Sequence, residues 1–252
     1  MNVPHELIEL AHFLADGSDA PCILSEGNVS CRCDAGSFWV KASGHKMGEI
    51  DAAGFVRVNR MPLLAAISGG ELDEAETRRV LNESVAGATD ARPSTEAYVH
   101  CALLELSGVE FVAHSHPSSV ISLLITEHGR RIASQRFFPD EIVLCGRASC
   151  FVPYTAPGLP LARAIIARTQ EFVSQHGSAP NVWLLENHGI ITTGRSVMEA
   201  QASTQMAIKS ARIILGALAT GSELNPLSRE EVNQIANWTD EHYRQSLLWG
   251  SK

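Results

Sequence analysis

Apolar residues recur along this chain with two periods, and each period predicts a different backbone. Where they return every three to four residues, as Leu7, Leu10 and Leu14 do within 4–16, they predict an amphipathic helix. Short apolar runs rich in β-branched residues and bounded by turn-forming residues predict strands. Helices are predicted over 4–16, 61–89 with a break at 69–70, 97–106, 118–129, 159–176, 196–220 and 227–248. Strands are predicted within 25–44 on both sides of a turn at 34–36, over 54–60, 108–114, 141–146 and 150–154, and within 181–194 on both sides of a second turn.

The order of these elements predicts the class of fold. Strands and helices are mixed along the whole chain, and no repeat, low-complexity segment or linker divides it. We therefore predict one α/β domain over residues 1–252, with a largely antiparallel sheet covered by helices. Its core would span about 5–220, followed by the C-terminal helix 227–248.

Composition and charge narrow the classes of partner. The 252 residues carry a net charge of −8 and contain no block of lysine and arginine, which argues against a nucleic-acid partner. The N-terminus lacks the basic start of a secretory signal, and no run of about 18 apolar residues could span a bilayer. Six scattered cysteines favour a reduced compartment. These features predict a cytoplasmic protein with no membrane partner.

Histidines are the first candidates for chemistry, since the chain has no dinucleotide, P-loop or hydrolase-elbow motif. His114 and His116 alternate at the end of the apolar run VEFVAHSH, so a strand would place both on one face. They could be hydrogen-bonded core residues or two neighbouring metal ligands. His188, in the glycine turn of LLENHGII, would be a simple turn residue on its own. Together the three predict a site like that of catalytic zinc, with three protein ligands and an open position.

A carboxylate and several glycine- and hydroxyl-rich turns accompany the histidines. The segment PSTE predicts a helix start with Ser94 or Thr95 as the cap and Glu96 in the first turn. Glu96 is then either a stabilised surface anion or a base beside a metal-bound substrate. The turns 27–30 (GNVS) and 41–44 (KASG), with the helix start, present backbone N–H groups of the kind that bind phosphate.

The ordered motifs GNVS, KASG, PSTE, HSH, PYTAPG and NHG resemble the class II aldolase/adducin family over about residues 5–220. The resemblance implies a single-domain, three-layer α/β fold and a homotetramer with the active site near a subunit interface. It implies that His114, His116 and His188 bind Zn2+ or another divalent metal. Glu96 would be the catalytic carboxylate, and Tyr154 an acid reaching across that interface. The residues that would hold a substrate phosphate are Asn28, Ser43, Gly44, Ser94 and Thr95, with Lys41 as a further phosphate or carboxylate contact.

The activity that the resemblance implies is that of a zinc-dependent aldolase of the rhamnulose- or fuculose-phosphate type. Such an enzyme cleaves a phosphorylated ketose by a retro-aldol reaction through a metal-stabilised enediolate. The stretch of about 50 residues between KASG and PSTE is longer than in the compact fuculose type. Epimerases, dehydratases and decarboxylases of related sugar phosphates or hydroxy acids share the family, so these reactions stay open. A non-catalytic, adducin-like interaction module is the third alternative, which the complete histidine triad disfavours.

Overall fold

The computed structural model describes residues 2–17, 20–87 and 89–238. The helices are α1 (His5–Leu14), α2 (Arg60–Ser68), α3 (Glu74–Glu83), α4 (Ala97–Leu103), α5 (Ser118–Leu124), α6 (His128–Ala133), α7 (Pro139–Cys145), α8 (Leu159–His176), α9 (Val197–Ala219) and α10 (Arg229–Ala236). The strands are β1 (Asn28–Arg32), β2 (Ser37–Lys41), β3 (Phe55–Asn59), β4 (Phe111–Ser115), β5 (Cys150–Val152), β6 (Val182–Leu185) and β7 (Gly189–Gly194).

These strands form one seven-stranded sheet in the order β3-β2-β1-β4-β7-β6-β5. Neighbouring strands are antiparallel except β5 and β6, which are parallel. On β6, Trp183 and Leu185 enter a core with α2, α4 and α8, whereas Val182 and Leu184 enter a second core with α5, α7 and α9. Because successive strand residues point to opposite faces, the sheet is the middle of three layers. The predicted α/β fold with a largely antiparallel sheet is confirmed.

One predicted strand, 141–146, is wrong. This segment belongs to α7, which begins at Pro139 and has Asp140 and Glu141 in its first turn. Proline is favoured at the first helical position, and acidic side chains there complement the helix dipole. Ile142 and Cys145 are both buried, three residues apart on one face. The apolar residues of this short run therefore form one face of a helix, although the run was predicted to be a strand.

Two predicted helices have different ends in the structure. The helix predicted over 118–129 begins at Ser118 as expected but ends at Leu124, and α6 begins separately at His128. The C-terminal helix predicted over 227–248 extends only from Arg229 to Ala236, and its part beyond residue 238 lies outside the described residues. No helix in the described ranges, the 23-residue α9 included, is long and apolar enough to cross a membrane. The domain bounds 1–252 stay a prediction.

Candidate active site

The register of three adjacent strands places the candidate site beside α4. Asn28 on β1 lies opposite His114 on β4, and His114 lies opposite Ile191 on β7. Val112 and Ile191 belong to the core that contains α4. Since residues two apart on a strand share a face, His114 points from the sheet towards the start of that helix. One row of residues across the sheet is thus the floor of the site.

The three predicted ligand histidines meet above this floor. The ring centroid of His114 lies 4.7 Å from that of His116 and 4.8 Å from that of His188, and the centroids of His116 and His188 are 5.1 Å apart. One ring nitrogen from each lies within 4.8 Å of the others. His116 follows the last residue of β4, and His188 lies in the β6–β7 turn. His188, distant in sequence, therefore converges on one point with the neighbouring His114 and His116.

Hydrogen bonds on the outer ring nitrogens decide which atoms face that point. His114 Nδ1 donates to the carbonyl of Ile190 at 2.9 Å, and His116 Nδ1 donates to the carboxylate of Glu26 at 3.2 Å. Both partners are acceptors, so each Nδ1 carries the proton and each Nε2 is left with a lone pair. The two Nε2 atoms face each other at 3.0 Å. A cation between them would satisfy both lone pairs, and imidazole nitrogens are good ligands for divalent metals.

Burial keeps the rings of His114 and His188 in the neutral form that binds metal. Burial, followed by the nearby His116, lowers the pKa of His114 to about 3, while the hydrogen bond to the Ile190 carbonyl acts in the opposite direction. Burial also lowers the pKa of His188 to about 4, followed by the effect of His114, while Glu96 acts in the opposite direction. At neutral pH both rings are therefore uncharged. The residues present fit a divalent cation.

Glu96 adds a carboxylate directly beside the histidines. Its Oε2 lies 3.3 Å from His114 Nε2, and its Oε1 lies 3.4 Å from His188 Nε2. Asn28 Nδ2 donates to Oε2 at 2.7 Å. Glu96 is only 8% exposed, so it is not a surface anion. The N-cap residue of α4 is Glu96 itself, without a side-chain cap bond, so the predicted cap at Ser94 or Thr95 is wrong. Ser94 Oγ accepts from the backbone N–H of Glu96 at 3.3 Å. A carboxylate so placed can exchange protons with a molecule at the site.

The turn that carries His188 depends on two unusual backbone positions. Asn187 takes a positive φ of 53°, which asparagine tolerates better than most residues. At Gly189 an added Cβ would lie 2.5 Å from the Ser115 carbonyl oxygen and 2.8 Å from Cδ2 of His116. Glycine therefore lets β7 approach the end of β4 closely enough for the rings to meet.

A buried pair behind Glu96 was not predicted from the sequence. His100 lies one helical turn after Glu96, and its Nδ1 is 2.7 Å from Ser30 Oγ on β1. Its Nε2 is buried and has no hydrogen-bond partner in the part of the chain that the structure describes. Burial, and then the proximity of His114, lowers the pKa of His100 to about 3, while Glu96 acts in the opposite direction. The i, i+4 spacing of Glu96 and His100 on a helix was the signal that could have revealed it.

The structure brings together most of the residues predicted to hold a phosphate. A β-bridge between Ala42 and Pro93 joins the KASG turn to the PSTE segment, and Ser43 N donates to the Arg92 carbonyl at 2.8 Å. Ser43, Gly44 and Thr95 are exposed there, and Ser94 is half-buried. Asn28 instead faces Glu96. Lys41 is 2% exposed and its Nζ donates to the Ser25 carbonyl at 2.9 Å, a contact that the sequence did not indicate.

Tyr154 lies on the surface of the chain. Its residue is 61% exposed, and its backbone N–H donates to Glu186 Oε2 at 2.9 Å. This bond holds the backbone of Tyr154 beside the segment that leads into His188, while the residue itself is exposed. Glu26, which contacts His116, was also missed from the sequence, because an acidic residue in an exposed loop carries no periodic signal.

Comparison with known proteins identifies the family to which this chain belongs. Residues 6–215 match the family model described as Class II Aldolase and Adducin N-terminal domain, so the chain belongs to that family. The structure is similar to that of an L-fuculose 1-phosphate aldolase, with a TM-score of 0.68, 18% identity and coverage of 95% of both chains. It is also similar to the N-terminal class II aldolase domain of a conserved protein from Thermoplasma acidophilum, with a TM-score of 0.67 and 23% identity, covering 83% of this chain and 92% of that one.

Three curated proteins are similar to this chain in sequence. Methylthioribulose-1-phosphate dehydratase of Sorangium cellulosum is 27% identical over 229 residues, which cover 85% of this chain and 90% of that protein. 3-Oxo-tetronate 4-phosphate decarboxylase of Haemophilus influenzae is 22% identical over 213 residues, 84% of this chain and 86% of that one. The uncharacterized oxidoreductase YuxG of Bacillus subtilis is 26% identical over 87% of this chain, which spans only 32% of that protein. Two of these relatives are named as enzymes that act on phosphorylated small molecules.

Proposed function

We propose that this protein is a zinc-dependent aldolase that cleaves a phosphorylated ketose by a retro-aldol reaction. The observation that carries the proposal is the position of Glu96. Its two oxygens lie 3.3 Å and 3.4 Å from ring nitrogens of two of the three clustered histidines. A base at this distance from a three-histidine metal site can move a proton at a carbon next to a coordinated carbonyl.

Each residue of the site has a distinct task under this proposal. His114, His116 and His188 would hold Zn2+, which as a Lewis acid withdraws electron density from the substrate carbonyl. Glu96 takes or returns the proton at the adjacent carbon. Asn28 keeps that carboxylate in place through its 2.7 Å hydrogen bond, and the low exposure of Glu96 limits access of water.

The substrate phosphate has a second region to bind. Ser43, Gly44, Ser94 and Thr95 would surround it, supported by the bridge that holds their two segments together. Gly44 has a φ of +84°, which permits the tight turn of KASG. Hydroxyl and backbone N–H groups of this kind bind phosphate. Lys41, whose amine is already bonded to Ser25, would add positive charge beneath this region.

Tyr154 would complete the site from a neighbouring subunit. The side chain is exposed in the isolated chain, as expected of a residue whose partner site lies in another copy. During cleavage, Tyr154 of the neighbouring subunit would take the proton of the hydroxyl that becomes the aldehyde carbonyl, and in the reverse condensation it would return that proton as an acid. A homotetramer would then be required for activity.

The experiment that tests the proposal measures cleavage and metal together. The purified protein should contain about one zinc per chain and release an aldehyde and a phosphorylated ketone from a panel of ketose 1-phosphates. Treatment with EDTA or the substitution His114→Ala should abolish both bound zinc and cleavage, and added zinc should restore only the EDTA-treated protein. Cleavage that persists in both metal-depleted samples would refute the proposal.

Dehydration or decarboxylation of a related phosphate ester is the second candidate. It is favoured because a dehydratase and a decarboxylase match most of this chain and most of their own length. The same site would serve, since Glu96 can also remove the proton that precedes loss of water. Product analysis separates the reactions. An aldolase releases two carbonyl fragments, a dehydratase gives one dehydrated product, and a decarboxylase releases carbon dioxide. A ketose inverted at one carbon would indicate an epimerase. A protein that binds no zinc and converts none of these substrates would instead be an interaction module.

A further inference from the structure

One acidic side chain touches the histidine cluster from outside. Glu26 Oε2 accepts a hydrogen bond from His116 Nδ1 at 3.2 Å, on the side of the ring opposite to the facing Nε2 atoms. We infer that Glu26 is a positioning residue for the metal, an inference that rests on the proposed metal site. It fixes His116 with Nε2 directed at the cation and makes that nitrogen a stronger ligand.

The physical reason lies in how imidazole binds a metal. Only one ring nitrogen can coordinate, and the proton on the other must find an acceptor. A carboxylate acceptor orients the ring and raises the basicity of the coordinating nitrogen more than a carbonyl does, because it is charged. His114 uses the Ile190 carbonyl for this purpose, so His116 alone of these two has an anionic partner.

Glu26 is itself held in place, as a positioning residue must be. Its Oε1 accepts from the backbone N–H of Ile23 at 2.8 Å, and its own N–H donates to the Ile23 carbonyl at 3.2 Å. Lys41 Nζ donates to the carbonyl of the preceding residue, Ser25. The side chain is 33% exposed. A carboxylate this exposed would contribute little to the orientation of His116 through one hydrogen bond alone, so the bonds that hold Glu26 in place are needed.

The loop around Glu26 is also fastened to the strand that carries the histidines. His116 N donates to the Pro21 carbonyl at 2.8 Å. A Cβ on Gly27 would collide with Cys22 Sγ and lie 2.9 Å from the His114 carbonyl oxygen, so only glycine permits this close approach. Leu24 holds a positive φ of 52°, a strained conformation that persists only where its surroundings enforce it. The loop therefore delivers one carboxylate to one ring nitrogen.

Two measurements test the inference without an enzymatic assay. In a zinc competition titration against a chromophoric chelator, Glu26→Gln should bind zinc about 10- to 100-fold more weakly than the parent protein. Glutamine keeps the size and one acceptor oxygen, so a loss reports the carboxylate charge. Glu26→Asp, which keeps the charge, should lose less than the glutamine variant. Glu49→Gln removes the same charge at an exposed carboxylate paired with Lys46 and should leave the zinc affinity unchanged.

The second measurement needs no variant. In the nitrogen-15 imidazole spectrum of the zinc-loaded protein, His116 should show a metal-bound Nε2 and a protonated Nδ1. A metal-bound Nδ1 at His116, or a Glu26→Gln affinity within about twofold of the parent, would overturn the inference. Loss of zinc binding in His114→Ala, alongside an unaffected Glu26→Gln, would leave the proposed function standing and reject only the role of Glu26. A parent protein that binds no zinc would reject both.

Discussion

The buried imidazole of His100 makes a quantitative prediction about stability and pH. Its folded pKa is about 3, far below the ordinary value of 6.5 that applies once the chain unfolds. The unfolded chain therefore binds the proton more tightly, and acidification favours unfolding. The stability associated with the neutral ring is complete above pH 6.5 and is lost progressively as the pH falls towards 3.

The magnitude follows from the two pKa values. Between pH 7 and pH 5 the unfolded ring becomes almost fully protonated while the folded ring stays neutral. With 1.36 kcal/mol for each pH unit below 6.5, this one group costs about 2 kcal/mol over that interval. His100→Asn removes the titration and keeps a polar atom near Ser30 Oγ. Between pH 7 and pH 5, we expect the free energy of unfolding of His100→Asn to fall by about 2 kcal/mol less than that of the parent protein.

Urea unfolding of the metal-free protein at pH 7 and at pH 5 measures this difference. EDTA is kept in both buffers, so that release of metal adds nothing to the pH dependence. Ser30→Ala is the matched control: it removes the partner of His100 but keeps the ring, and should lose stability on acidification as the parent does. Equal losses in the parent protein and in His100→Asn would refute the reasoning.

Three further predictions concern the active site. Asn28→Ala should lower kcat by about 10- to 100-fold with zinc binding unchanged, because a charge-assisted hydrogen bond to Glu96 is lost. A raised KM with normal kcat would instead assign Asn28 to binding of the substrate phosphate. Gly189→Ala should cost about 1–3 kcal/mol in urea unfolding and weaken zinc binding, whereas Gly36→Ala, with nothing closer than 3.7 Å, should be nearly neutral. Mixed oligomers of the inactive variants Glu96→Gln and Tyr154→Phe should recover activity in a cleavage assay, and recovery would be absent if both residues act within one chain.

Local patterns predicted those parts of the fold that local forces determine. The leucines of α1, the hairpin around residues 34–36 and the break before α3 all follow from periodicity and turn residues. The segment 141–146 did not, because a short apolar run is compatible with a strand or with one face of a helix. The decisive signal was Pro139 with two acids after it, a helix start that lay just outside the run.

The site divides in the same way. His114, His116 and His188 could be selected by residue type, and the structure places them together. Glu26 and His100 could not be selected, because their partners are set by strand register and loop contact. Lys41 shows that residue type alone can also indicate a contact that the structure does not contain among its described residues. Its positive charge indicated an anion contact, but its amine is bonded to a backbone carbonyl of its own chain.

The row of Asn28, His114 and Ile191 across the sheet has a consequence for how the protein folds. Contacts at this site join residues far apart in sequence, such as Glu26 with His116, separated by 90 positions, and His114 with Ile190, separated by 76. Such contacts form late, because the loops that they close are long. A partly folded chain, with β7 not yet paired to β4, holds at most fragments of the ligand set. If the three histidines bind a metal as proposed, tight uptake would require a chain that has finished folding, and an equimolar metal signal would then also measure the fraction of native molecules.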